Sequence, residues 1–301
     1  MKKLTVMNVA QKDFWKMPHT FIDAIYETFP NWKIQVITSL ESEVEHIKDA
    51  HAIISSPFSA SLVRGNKNLE WVHLLSAQVP LSWQKLQNQY MVTNSSATRD
   101  AVAEHALYLA LKGLRGEKSY QEKNWDQEHF RISKVASESR LGIVGFGNIG
   151  ERISTICSPI FNEVRFLTNR SFSPEGTKHY NYEQMRDFFQ NLDVVIIATN
   201  HSVRSAEIFH QKDFFEYLSP DIIMVNIARG EIFEEQDLFD FFHRHPDAFY
   251  LTDVTYPEPY PRDGLLYQLP NGFISPHVGG RFNTLWDKLE KELRLLLKDR
   301  K

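Results

Sequence analysis

Arg229, Asp253, Glu258 and His277 each stand at or just beyond the end of a short apolar run: "DIIMVNIA" before Arg229, "AFYLTDV" holding Asp253 and leading to Glu258, and "GFISP" before His277. In a doubly wound parallel sheet, ligands bind beyond the carboxyl ends of the strands, so these side chains are expected to converge on one rim. An arginine, an acid and a histidine in that place suit reduction of a carbonyl by hydride. Hydride addition leaves an alkoxide that needs a proton, and imidazole can donate one because it titrates near neutral pH. A nearby carboxylate favours the charged ring, a role open to Glu258 beside His277. The planar fork of an arginine can hold a carboxylate and polarise the adjoining carbonyl together, which assigns that task to Arg229. Each residue alone also has an ordinary structural use. Arg229 can pair with Glu231, Glu258 can be a solvated turn acid between Pro257 and Pro259, and His277 can be a satisfied histidine near the core.

A second pattern supplies the hydride carrier. "LGIVGFGNIGERIS" contains G-x-G-x-x-G at Gly145, Gly147 and Gly150, with Phe146, Asn148 and Ile149 between them, after an apolar strand and before a helix that stops at Pro159. The first glycine permits a tight turn, the second lets backbone N–H groups approach a pyrophosphate, and the third lets helix and strand pack closely. The helix N-terminus adds partial positive charge for the phosphates. About 20 residues further on, an NAD site places an acid against the adenosine 2′-hydroxyl. Here "RFLTNRS" offers Asn169, Arg170 and Ser171 instead. A neutral amide, a guanidinium and a hydroxyl suit a 2′-phosphate, so NADP(H) is the expected cofactor. NAD(H) is the alternative, with Arg170 an exposed loop residue beside a site that takes either.

The elements that must carry these residues alternate between β-branched runs and helical patterns, which argues α/β with parallel sheets. "LTVMNVA", "KIQVITS", "AHAIISS", "EWVHLLSA" and "YMVTN" form a first block of strands. "DAVAEHALYLALKGLRG" then reads as a helix apolar on nearly every side, expected to be buried between two bodies of protein. The second block has six strand candidates, "SRLGIVGFG", "EVRFLTN", "LDVVIIAT", "DIIMVNIA", "AFYLTDV" and "GFISPH", the count of a complete doubly wound dinucleotide fold. The terminal "TLWDKLEKELRLLLKDR" puts Leu285, Leu289, Leu293 and Leu296 on one helical face, a helix expected to pack on the first block. The expected organisation is a substrate-binding domain of residues 1–98 completed by 285–301, with a Rossmann cofactor domain of 99–284 inserted in it.

Composition excludes other classes. A net charge of −4, without long basic runs, gives no diffuse attraction for nucleic acid or an anionic membrane. The start, "MKKLTVMNVAQKDFW", is interrupted by polar residues and reads as a first strand rather than a leader. No apolar stretch approaches the roughly 18–20 residues of a membrane span. Cys157 is the single cysteine, which fits a reducing compartment and a core thiol, so a cytoplasmic protein is expected. Of the 12 histidines, His243 and His245 lie at a helix end with no third ligand in view, and no metal site is expected.

Taken together, the glycine loop, "VNIARGEIFEEQDL" and "LTDVTYPEPYPRDGLLYQLPNGFISPHVGG" resemble the D-isomer-specific 2-hydroxyacid dehydrogenases, the family of phosphoglycerate dehydrogenase, glyoxylate/hydroxypyruvate reductase and formate dehydrogenase. The likeness also covers "NLEWVHLLSAQVP" and "AVAEHALYLAL". It implies Arg229 as the substrate-orienting arginine, Glu258 as the acid partner and His277 as the proton-transfer histidine. It further implies Asp253 on the nicotinamide carboxamide, with Thr199, Ile227, His277 and Gly279 along the cofactor and Ala77 and Gln78 at the substrate. A small 2-oxo acid substrate, a cleft that closes on it and a homodimer are implied as well. Gln78 and Pro80 replace the family's usual Gly and Asp, and Thr199 stands where a proline is common. Formate dehydrogenase carries an amide where this chain has Glu258, which argues against that activity. Relatives with this fold also serve as dinucleotide-sensing corepressors, a binding function that remains the alternative to an enzyme.

Overall fold

Strands buried on both faces read as continuous apolar runs rather than alternating ones, and such runs form the centre of both sheets here. The computed structural model describes residues 1–9, 13–116, 133–170, 177–200, 209–210 and 214–298. The chain divides into two compact units, Met1–Thr98 with Arg281–Lys301, and Arg99–Gly280. No helix among the described residues is long and apolar enough to cross a membrane.

In the first unit, β1 (Lys3–Met7), β2 (Lys33–Ile37), β3 (Ala52–Ser55), β4 (Trp71–Leu74) and β5 (Met91–Asn94) form a parallel sheet in the order β2-β1-β3-β4-β5. On one face, the helices His19–Thr28 and Leu285–Lys298 bury Phe21, Ile25, Leu285, Leu289 and Leu293, and Phe21 meets Trp286 at 5.2 Å. Each such side chain contributes about 1.5–3 kcal/mol by leaving water. Leu296 is only half-buried, so the apolar stripe of the terminal helix fades in its last turn. Glu292 of that helix accepts from the Ser96 N–H (2.7 Å) and from the hydroxyls of Ser95 and Ser96, which ties the helix to the end of β5.

The second unit holds β6 (Arg140–Val144), β7 (Glu163–Leu167), β8 (Lys178–Tyr180), β9 (Val194–Ile197), β10 (Ile223–Asn226), β11 (Phe249–Thr252) and β12 (Gly272–Ile274), ordered β12-β11-β10-β9-β6-β7-β8 and parallel throughout. The sheet has seven strands among the described residues, one more than the apolar runs indicate. The extra strand is β8, three residues at the edge that pair on one side only, with β7; its sequence "KHY" carries no apolar run. With β8, the strands β8-β7-β6-β9-β10-β11 reproduce the 3-2-1-4-5-6 order of a dinucleotide fold, and β12 extends it. Order reverses at β6, whose neighbours are β7 and β9, so β6 delivers the glycine loop to the switch point. The helices Arg99–Leu114 and Asn148–Cys157 cover one face of the sheet. The other face is filled by Phe188, Phe189, Phe209, Phe214, Phe241 and Phe242. Along Arg99–Leu114, Ala103, Ala106, Leu109 and Ala110 are buried, but Tyr108 and Leu111 are exposed. That helix is therefore less enclosed than its composition suggests.

Candidate active site

Gly145 follows β6 directly and adopts a left-handed φ of 100°. A Cβ there would lie 2.8 Å from Thr199 Cα and 2.9 Å from the Ala198 carbonyl, so the turn needs glycine on both counts. At Gly150 a Cβ would come within 2.2 Å of the Gly145 carbonyl, which is how the helix Asn148–Cys157 sits against the loop. Gly147 differs: nothing lies within 4 Å of its would-be Cβ. The first bond into the helix runs from the Glu151 N–H to the Gly147 carbonyl, 2.9 Å. The N–H groups of Asn148, Ile149 and Gly150 have no acceptor among the described residues. Open space thus adjoins unpaired donors at a helix N-terminus, which is what a pyrophosphate requires. Phe146 packs inward on Phe166 at 4.8 Å, and Ile227 is buried in the same core. Thr199 lies half-buried beside the turn.

Asn169 and Arg170, both exposed, stand beyond β7. β8 organises this corner, because the Thr168 N–H reaches the Tyr180 carbonyl (2.9 Å) and His179 Nε2 donates to the Thr168 carbonyl (2.7 Å). Asn169 Oδ1 accepts the Tyr182 N–H at 3.2 Å, which leaves its amide NH2 group as a donor. Arg170 forms no ion pair with a described residue, while its backbone N–H is held by Thr168 Oγ1 at 3.3 Å. Ser171 lies outside the described residues.

The proton-transfer candidates do meet. His277 Nδ1 and Glu258 Oε2 are 2.7 Å apart. The Thr255 N–H donates to Glu258 Oε1 at 3.2 Å. Burial alone would raise the Glu258 carboxyl, but the bond to His277, the Thr255 N–H and the charge of Arg229 together hold it below the usual carboxylate range. Burial pushes the Arg229 guanidinium down from its ordinary value, opposed by the charges of Glu258 and Glu231. Arg229 therefore sits in the field of both acids, and its Nη1 donates to the Ala228 carbonyl at 2.6 Å. Asn226, fully buried at the end of β10, fixes the turn beneath it: Oδ1 accepts the Ala228 N–H and Nδ2 donates to the Arg229 carbonyl, both at 3.0 Å.

Asp253, at the end of β11 and 4% exposed, spends most of its carboxylate inside the protein. Oδ1 accepts from Ser275 Oγ (2.6 Å) and the Val278 N–H (2.9 Å), and Oδ2 from the Gly279 N–H (2.8 Å). His105 Nε2 lies 3.4 Å from Oδ1. Burial opposes the charge, but these donors outweigh it and hold the carboxyl below the usual range. Its bonds bracket His277, whose φ of 52° is left-handed. Asn226, Ser275 and His105 escaped the pattern reading, although each is a polar residue set among apolar ones.

In the other unit, the loop after β4 carries Ala77 and Gln78. Asn94 Nδ2 donates to the Ala77 carbonyl (2.9 Å), Ser76 Oγ to the Gln78 carbonyl (2.8 Å) and Gln84 Nε2 to the Val79 carbonyl (2.8 Å). With those carbonyls held, the N–H groups of Ala77 and Gln78 have no acceptor among the described residues.

Residues 104–279 match the family model for the NAD binding domain of D-isomer specific 2-hydroxyacid dehydrogenases. The glyoxylate reductase/hydroxypyruvate reductase of Homo sapiens is 32% identical over 146 residues, 48% of this chain and 44% of the human protein, so the match spans less than half of that relative. A glyoxylate reductase from Paecilomyes thermophila has a similar structure, with a TM-score of 0.82 at 17% identity over 99% of this chain and 95% of that one. So does a D-isomer specific 2-hydroxyacid dehydrogenase from Xanthobacter autotrophicus Py2 in complex with NADPH and MES, with a TM-score of 0.79 at 17% identity over 99% and 96% of the two chains. At those identities the two structures bear on the fold.

Proposed function

The chain belongs to the D-isomer specific 2-hydroxyacid dehydrogenase family, and from that premise we propose that it is an NADPH-preferring reductase of small 2-oxo acids such as glyoxylate or hydroxypyruvate. One observation carries the reading above the others, the 2.7 Å pairing of His277 with Glu258. The residues present also fit a bound dinucleotide: open space over Gly147, unpaired N–H groups at the start of its helix, and Asn169 with Arg170 where a carboxylate would repel a 2′-phosphate. The nicotinamide, when bound, supplies the hydride that reduces the carbonyl.

The chain's own residues do the rest. Glu258 stays ionised and accepts from Nδ1 of His277, which orients the ring and leaves Nε2–H to protonate the developing alkoxide. Arg229 uses its remaining donors on the substrate carboxylate and carbonyl, and its partial burial strengthens that electrostatic grip. Ala77 and Gln78 offer backbone donors for the carboxylate, on the chemistry of their own loop. Family membership leads us to expect a homodimer, and the single cysteine, Cys157, fits a reducing compartment such as the cytoplasm. The test is His277→Ala. We expect glyoxylate-dependent NADPH oxidation to fall by about 100-fold or more, the worth of a general acid, with the NADPH Kd within about threefold of the parent, a shift well under the 1.4 kcal/mol of a tenfold change. Near-normal turnover would remove His277 from the mechanism.

A further inference from the structure

Ser275 has one hydroxyl proton, and its 2.6 Å contact directs that proton to Asp253 Oδ1. His105 Nε2, 3.0 Å from the same hydroxyl oxygen, must therefore be the donor in their contact. It is also 3.4 Å from Asp253 Oδ1. His105 comes from the helix Arg99–Leu114, far in sequence from the segment Ser275–Gly279, and its ring rests against Tyr108 at 5.7 Å. The side chain is largely enclosed, 18% exposed. Gly279 packs against the same pair, since a Cβ there would meet Asp253 Oδ2 at 2.9 Å and His105 Cδ2 at 3.1 Å.

These contacts surround one residue. Ser275 precedes His277 by two positions and accepts its backbone N–H on the main-chain carbonyl at 3.0 Å. Val278 and Gly279 follow it, and both donate to Asp253. His277 stands between them with a left-handed backbone that a residue bearing a Cβ adopts only under constraint. We propose that His105 is a positioning residue for His277: by donating to Ser275, which in turn donates to Asp253, it holds the His277 turn in the one conformation that brings Nδ1 to Glu258. In this account Asp253 is first a clamp on that turn, and Oδ2 alone keeps a lone pair to spare for a cofactor amide.

The inference rests on the proposed role of His277 in proton transfer, but its deciding readout, a proton resonance, does not depend on any substrate being turned over. The Nδ1 proton shared with Glu258 should give a low-field resonance in protein labelled with 15N-histidine, assigned by its loss in Glu258→Gln. In His105→Leu, which cannot donate, we expect that resonance to vanish or broaden and kcat to fall about tenfold, within the range that a small misplacement of a reacting group costs. In His105→Gln, whose amide can still donate, we expect the resonance to persist and kcat to stay within about twofold, far inside that range. Ser275→Ala breaks the same relay at its other end and should reproduce the leucine variant even if that protein folds poorly. Retention of the resonance in both His105→Leu and Ser275→Ala would overturn the proposal, as would equal loss in the glutamine and leucine variants, which would mark His105 as packing only. Loss of the resonance in His105→Leu and Ser275→Ala and its persistence in His105→Gln, with no 2-oxo acid reduced by the parent, would leave the positioning role intact and refute the proposed reaction instead.

Discussion

Replacing Gly147 with alanine should leave the fold nearly as stable and weaken its cofactor binding. Gly147 has φ −103° and ψ −171°, extended backbone that alanine also adopts, and no atom lies within 4 Å of the added carbon. A substitution of that kind removes freedom from the unfolded chain, worth about 0.4–1 kcal/mol. Gly147 is, however, the N-cap of its helix, where alanine is poorer than glycine by a similar amount, so Tm should move by no more than about 4 °C for a unit of this size. The methyl group would occupy the space in front of the unpaired N–H groups. A phosphate oxygen must approach those donors to about 3 Å, whereas a methyl carbon holds neighbours at roughly 3.5–4 Å. Losing one charge-assisted bond costs about 1.5–3 kcal/mol, so the NADPH Kd should rise about ten- to hundredfold. Thermal unfolding without cofactor and calorimetric titration with NADPH read the two effects separately. Gly150→Ala is the contrast, because its Cβ would lie 2.2 Å from the Gly145 carbonyl and should destabilise the fold itself. An unchanged Kd in Gly147→Ala would refute the reading of that space as the pyrophosphate site, and a Tm lowered by well over about 4 °C, more than the loss of an N-cap costs, would refute the claim that it is open.

Arg170→Ala should weaken NADPH binding about tenfold or more, the worth of one hydrogen bond to a charged group, while leaving NADH binding unchanged; parallel titrations with the two cofactors check this. Asp253 makes a pH prediction. Its carboxyl is held below the usual range in the folded protein, so its stabilisation is complete above the ordinary aspartate value of about 3.9 and is lost as pH falls through that value towards the folded one. Asp253→Asn should therefore cost about 1–3 kcal/mol near neutral pH, where it leaves a buried donor unpaired. In urea unfolding series the gap between parent and variant should narrow below about pH 4, once the parent's own carboxyl takes up a proton; a gap of constant size would remove Asp253 as an ionised clamp.

Much of this was legible because continuous apolar runs survive translation into structure. "DIIMVNIA" and "AFYLTDV" became β10 and β11, and the polar residues at their ends stand on the rim. β8 was not legible: a three-residue edge strand gains from one neighbour only and needs no apolar pattern. The left-handed turn at His277 was hidden as well, since its stabilising groups come from distant segments, His105 from a helix and Asp253 from another strand. Signals for them existed. Asn226 ends an otherwise apolar strand and His105 interrupts an apolar helix, and a buried polar group must find partners. What the pattern could not supply was which partners, because that depends on tertiary packing.

The central claim is tested most directly by initial rates of NADPH and NADH oxidation, side by side, with glyoxylate, hydroxypyruvate, pyruvate and bulkier 2-oxo acids. The account predicts turnover of the smallest oxo acids with kcat/KM higher for NADPH than for NADH. A clear preference for NADH would contradict the role given to Asn169 and Arg170, and cofactor binding with no oxo acid reduced would contradict the reaction itself.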